Sequence, residues 1–196
     1  MQLHLLFIIV LGIISIVGLT FIVERGLALR WRKVIPAAIE TAADATDNEK
    51  QIQQLIQACD TNPSPISRLL KSAYTHRNLP REENVDALEI RARHEVTLME
   101  RGLVLLEIVV GVAPLLGLVG TIAGLIILFG AVGEDGLAKS NVVAEGIATA
   151  LQATLMGLLT AIPSLIAWSY YNKKIETLSV EMETICDKFV RRLYRK

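Results

Sequence analysis

Three runs of this chain, Leu5–Val23, Ile108–Val132 and Gly146–Tyr171, contain no charged residue. Each is long enough to cross a hydrocarbon core of roughly 30 Å, which takes about 20 residues of helix. With 52% hydrophobic and 20% charged residues in 196, the chain is too apolar for an ordinary soluble domain, and its apolar positions are bunched rather than spread periodically. The expectation is an all-α membrane protein of three transmembrane helices. The first run has no Lys or Arg ahead of it and reaches Glu24-Arg25 without a small-x-small cleavage site, so it reads as a retained span rather than a signal peptide.

The net charge of zero conceals a strong asymmetry. Twelve of the 20 Lys and Arg lie in Glu24–Arg101, one (Lys139) between the second and third spans, and seven after Tyr171. By the positive-inside rule the segments holding nineteen of them face the cytoplasm. The predicted order is a first transmembrane helix over 1–23, a cytoplasmic helical region over 24–107, a second transmembrane helix over 108–132, a short periplasmic loop over 133–145, a third transmembrane helix over 146–171 and a cytoplasmic amphipathic helix over 172–196. The N-terminus is then periplasmic and the C-terminus cytoplasmic. Trp31, Trp168, Tyr170 and Tyr171 fall near cytoplasmic span ends, where amphipathic rings anchor at the interface. Cys59 and Cys186 both land in the reducing compartment without metal-ligand spacing, so no disulfide, metal or cofactor is expected.

In the polar region, Ile52, Leu55 and Ile56, and then Ile66, Leu69 and Leu70, recur at helical spacing on either side of Asn62-Pro63-Ser64-Pro65. Short amphipathic helices over Lys50–Cys59 and Pro65–Tyr74 follow. From Glu82 no proline appears until Pro114, and Val85, Leu88, Ala92, Val96, Met99, Leu103 and Leu106 recur every three or four residues. One helix is predicted over Glu82–Val132, roughly 75 Å long, projecting from the membrane. Past the third span, Ile175, Leu178, Met182, Ile185, Phe189 and Leu193 continue a narrow apolar stripe, which reads as a coiled-coil seam against that extension. A helix lying on the membrane surface is the alternative. Gly133–Asn141 leaves room only for a tight hairpin.

The membrane hairpin is not plain anchor. Thr121, Thr149, Gln152, Thr154 and Thr160 sit at membrane depth beside small residues. Ala113, Gly117, Thr121 and Gly124 share one face with Gly120 beside it, and Gly146, Ala150, Ala153, Gly157 and Ala161 share another. Such ridges permit close helix packing, and two in one hairpin favour self-association. Two readings of Thr121 and Thr154 stand: each hydroxyl bonds a carbonyl one turn back, or the hydroxyls line a polar lumen that hands protons along. No Asp, Glu, His or Lys lies inside a span, although proton relays usually need an ionisable group there. Another chain must supply one, or no proton moves. Glu107 and Glu145 flank the spans as solvated boundary charges or as an entrance and exit. Pro114 and Pro163 free the carbonyls of Val110 and Leu159, which predicts local kinks. No nucleotide loop, catalytic triad or basic-aromatic nucleic-acid surface is present, so neither an enzyme nor a nucleic-acid binder is expected.

The run Arg101-Gly102-Leu103 through Ala113-Pro114-Leu115-Leu116-Gly117-Leu118-Val119-Gly120-Thr121, followed by Gly146-Ile147-Ala148, Ala150-Leu151, Ala153-Thr154, Gly157 and Ala161-Ile162-Pro163, resembles the MotA/TolQ/ExbB proton-channel family. Three spans with an outside N-terminus resemble its ExbB/TolQ branch. The resemblance implies a bacterial inner-membrane ring, a homo-pentamer, around a dimer of a single-span partner similar to ExbD or TolR whose membrane aspartate carries the proton. It implies that Thr121 and Thr154 are the pore threonines, and that the ring drives TonB-like or Tol–Pal-like envelope machinery. The family's glutamate in this stretch is replaced by Thr149, with Glu145 one turn nearer the outside as the substitute. The competing reading is a non-conducting helical membrane scaffold.

Overall fold

The computed structural model of the chain describes residues 2–135 and 140–195. In order these form α1 (Gln2–Ala28), α2 (Trp31–Val34), α3 (Ala37–Asp44), α4 (Glu49–Thr61), α5 (Pro65–Thr75), α6 (Arg81–Glu100), α7 (Leu103–Asp135) and α8 (Ser140–Leu193). There is no strand among the described residues. Three helices, α1, α7 and α8, are long and apolar enough to cross a membrane. The chain divides into an apolar unit, the residues up to Arg25 with Gly102–Tyr170, and a polar unit, Gly26–Arg101 with Tyr171–Lys196.

In the apolar unit α1 packs on the α7–α8 hairpin through Leu11, Ala113 and Ala161, with Ile14 and Leu116 against them. Small residues bring the helices together here. A Cβ on Gly18 would lie only 3.2 Å from Ser164 Oγ. The opposite face of α1 exposes Ile9, Ile13, Ile16, Leu19 and Val23, a surface suited to lipid or another apolar helix and not to water. The helix outruns the predicted Leu5–Val23 and carries Glu24 and Arg25 within it. Arg25 Nε donates to Glu24 at 2.7 Å, and the guanidinium lies over Gly102, where a Cβ would meet Arg25 Nε at 2.5 Å.

The expected unbroken helix over Glu82–Val132 is two helices. Arg101 leaves the helical region (φ −57°, ψ 55°), so α6 ends at Glu100 and α7 begins at Leu103. Glycine 102 is buried at this break, and the absent side chain makes room for Arg25. Pro114 and Pro163 lie inside α7 and α8, each of which remains one helix.

The polar unit is a helical bundle whose starts and stops are written locally. Gln51 Oε1 accepts from the amides of Asn48 and Asp47 at the start of α4. Ser64 Oγ accepts from Ser67 N at 3.3 Å ahead of α5, with Pro65 in its first turn. The predicted helices over Lys50–Cys59 and Pro65–Tyr74 are thus α4 and α5, and α2 and α3 are additions. Ile35, Ile39, Leu55, Ile66, Leu69, Leu70, Leu178, Met182 and Phe189 are fully buried. The tail of α8 is locked by its basic end: Arg192 donates to the carbonyls of Ala43 and Asp44, both at 2.7 Å, satisfying the end of α3. Asn84 Nδ2 donates to Ala73 O at 3.0 Å and to Tyr194 Oη at 2.9 Å, and Tyr194 Oη donates to Leu79 O at 2.8 Å.

The stripe Ile175, Leu178, Met182, Ile185 and Phe189 is buried as read. Val85, Ala92 and Val96 of α6 and Met182, Cys186 and Val190 of α8 line a groove of about 310 Å³, and the tail also reaches α3. Tyr171, expected as an interface anchor, is 7% exposed and sits on Gly26, whose Cβ would be 2.8 Å from its hydroxyl. Burial pushes the Cys186 thiol up to about 12, with Glu183 nearby adding to it. Burial likewise raises Cys59, with Ser67 hydrogen bonding opposing it.

Candidate functional site: a paired hydroxyl clasp in the membrane hairpin

In the apolar unit α7 and α8 approach each other closely, and glycine makes it possible. A Cβ on Gly117 would lie 2.7 Å from Ala153 O, and one on Gly157 would lie 2.6 Å from Ala113 O, distances no real Cβ adopts. Gly120 and Gly124 face the methyls of Ala153 and Ala150, where a Cβ would lie at 2.9 and 3.0 Å. All four predicted packing glycines therefore act within one chain. The small ridges were expected to favour self-association; instead each ridge is consumed by the other, and this carries no argument for an oligomer.

The close approach delivers Thr121 and Thr154 to each other, with their hydroxyls 2.5 Å apart. Thr121 Oγ1 is also 3.1 Å from Gly117 O and 3.0 Å from Ala150 O, and Thr154 Oγ1 is 3.2 Å from Gly117 O. Two hydroxyl protons meet two carbonyl oxygens and two hydroxyl oxygens, so the pair can distribute its hydrogen bonds in more than one way without moving a heavy atom. Thr121 is 8% exposed and Thr154 half-buried. Thr121 thus has a carbonyl one turn back, both hydroxyls have one across the hairpin, and the two form a single polar spot.

The other predicted positions lie elsewhere. Thr149 is half-buried, and its hydroxyl donates to Glu145 O at 2.8 Å. Glu145 and Glu107 are exposed. Thr160 donates to Met156 O at 3.0 Å and Ser164 to Thr160 O at 2.9 Å. The structure brings Thr121 and Thr154 together and leaves Thr149 and Glu145 on a different face of α8. Among the described residues no three His, Cys, Asp or Glu side chains cluster.

The matched glycines, the threonine pair and the uncharged spans meet in one hairpin, and residues 61–184 match the model of the MotA/TolQ/ExbB proton channel family. The chain belongs to that family. It is 33% identical over 105 residues to the biopolymer transport protein ExbB of Aquifex aeolicus, covering 54% of this chain and 70% of that protein. It is 27% identical over 196 residues to the Tol-Pal system protein TolQ of Pseudomonas aeruginosa, covering 93% and 84%. A putative biopolymer transport protein ExbB homolog of Methanothermobacter thermautotrophicus is 35% identical over 122 residues, covering 62% of this chain and 43% of that one. These likenesses place the chain in the ExbB/TolQ-like branch.

In this ExbB/TolQ-like chain the matched residues also take in a buried ion pair in the polar unit that the sequence reading missed. Glu95 has no exposed surface; Arg68 grips it through Nε at 2.8 Å and Nη2 at 2.6 Å, and Arg91 adds a contact at 3.1 Å. The Arg91–Glu95 spacing of four was visible in the sequence, but not the burial.

Proposed function

We infer that the chain is the ring subunit of a motor driven by the proton-motive force in a bacterial inner membrane. The reading is a pentamer enclosing a single-span ExbD/TolR-like dimer, with proton flow coupled to mechanical work on TonB-like or Tol–Pal-like envelope proteins. The observation that carries it is the Thr121–Thr154 pair: two hydroxyls with interchangeable hydrogen bonds, at membrane depth, in a chain of a proton channel family. No Asp, Glu, His, Lys or Arg lies in the spans, so the proton carrier in this reading belongs to the partner. The energy is adequate in scale, since one charge crossing 100 mV releases about 2.3 kcal/mol. The chain itself does no covalent chemistry in this scheme.

One observation favours a second reading. Both hydroxyls are within reach of carbonyls of their own hairpin, which is what a packing clasp in a non-conducting scaffold would show. The two readings differ in what accompanies the chain. Purified from its own membrane, the complex should hold five copies and a single-span protein with an acidic residue in its span, by native mass spectrometry. A stable monomer or dimer without such a protein would overturn the motor reading.

A further inference from the structure

The groove of the polar unit lies between two helices that run in opposite directions. An adjoining recess joins the 89–97 end of the α6 wall to Ser179 and Glu183 of α8, which sets that direction. At 1.5 Å per residue, the wall over residues 85–96 makes the groove roughly 16 Å long, or three helical turns. Its floor is apolar, with Leu69, Leu88, Met182, Cys186 and Val190 all buried. Small side chains at Ala92 and Ser179 keep the trough from closing as a filled seam would. Val85, 39% exposed, and half-buried Val96 lie along the α6 lip.

The rim is acidic. Residues 82–89 hold four carboxylates and no Lys or Arg, and residues 176–187 hold four more and again no Lys or Arg. Of these, Glu89, Glu183 and Asp187 line the groove. Glu89 accepts from Arg93 at 2.5 Å and Asp187 from Arg191 at 2.8 Å, both as exposed pairs four residues apart, which are weak and exchange readily with another cation. Glu183 has no basic partner among the described residues and accepts a long bond, 3.5 Å, from Ser179. The two walls repeat with the same spacing of three, four and four residues: Val85, Leu88, Ala92 and Val96 on α6, and Ser179, Met182, Cys186 and Val190 on α8. Such rows interdigitate with the rows of a third helix, whereas an extended strand would find no backbone edge to pair with.

We propose that this groove docks a basic amphipathic helix of a partner protein. The apolar stripe of that helix enters between α6 and α8 over Ala92, and its Lys or Arg residues meet Glu89 on one edge and Glu183 and Asp187 on the other. The α6 and α8 helices of a second copy carry the same acidic stretches and would be repelled by the rim, so charge disfavours that occupant. The proposal uses neither the ring nor the proton path, and it stands or falls apart from the motor reading.

The test uses a fluorescent peptide of about 21 residues, three heptads with Leu along the apolar stripe and Lys beside it, which is long enough to hold a helix over the groove. A twin carries Glu in place of Lys. Fluorescence anisotropy with the full chain in an uncharged detergent, with empty micelles as the blank, should show the Lys peptide binding at least about tenfold more tightly than the Glu peptide at low salt, and the difference should shrink at about 0.5 M salt. Glu183→Lys with Asp187→Lys should weaken the Lys peptide about tenfold. Ala92→Leu, which fills the trough, should abolish its binding without lowering the thermal unfolding temperature. Equal binding of the two peptides, or a Lys peptide indifferent to all of these substitutions, overturns the proposal. In cells, a photo-crosslinking residue at position 85 should join the chain to a different protein through a Lys- or Arg-flanked helix, identified by mass spectrometry of the adduct. Adducts with another copy of this chain alone, or none at all, overturn it as well.

Discussion

Replacing Gly157 by alanine tests the hairpin where a glycine faces the backbone of the other helix. The added Cβ would lie 2.6 Å from Ala113 O, and ordinary contact begins near 3.4 Å, so α7 and α8 must separate by about 0.8 Å. At Gly117 the corresponding opening is about 0.7 Å, against Ala153 O. A shift of that size takes the 3.0 Å bond from Thr121 to Ala150 O beyond hydrogen-bond range. Overpacking of this kind costs about 1–3 kcal/mol, and the lost bond about 1 more. The better helix propensity of alanine offsets about 1 kcal/mol, leaving a net loss of about 1–3 kcal/mol. The control is Gly111→Ala, where nothing lies within 4 Å of the new methyl and stability should hold or rise. Unfolding of the chain in mixed micelles by titrated dodecyl sulfate reads the difference. The reasoning fails if Gly111→Ala costs as much as Gly157→Ala, or if Gly157→Ala and Gly117→Ala are both silent.

In the polar unit, Arg68→Ala leaves the buried Glu95 with Arg91 alone and should cost about 2–4 kcal/mol, while the paired change Arg68→Met with Glu95→Leu should cost less, by thermal unfolding in detergent. The native thiols should resist alkylation at pH 8. Cys186, with its pKa pushed up to about 12, should gain rate steadily through pH 10 with no plateau, and a plateau near pH 9 would mean that the thiol is solvated.

The membrane helices were legible because an uncharged run of this length has few other fates. The threonine pair was legible as two hydroxyls at depth, and its geometry was not, because spacing places a residue on a face without saying which helix that face meets. The same gap explains the ridges: Gly117 and Gly157 announce a close approach, and only the fold reveals that the approaching helix is the chain's own. The break at Arg101-Gly102 was hidden because a glycine within a periodic pattern is compatible with continuing the helix. The burial of Glu95 was not legible because the partner that grips it, Arg68, is 27 residues away in sequence. Tyr171 misled for a related reason. A tyrosine at a span end usually anchors at the interface, and here a facing glycine gives its ring a place inside the protein.

The central claim, that hydroxyls and not volume matter at the clasp, is tested most directly by the Thr121→Val, Thr154→Val double variant in the assembled complex. Valine keeps the shape of threonine and removes both protons of the pair. The account predicts an intact ring that binds its partner and has lost activity driven by the proton-motive force, with the double Ser variant closer to wild type. Full activity in the double Val variant, or a double Ser variant more damaged than the double Val, would contradict it and leave a packing clasp.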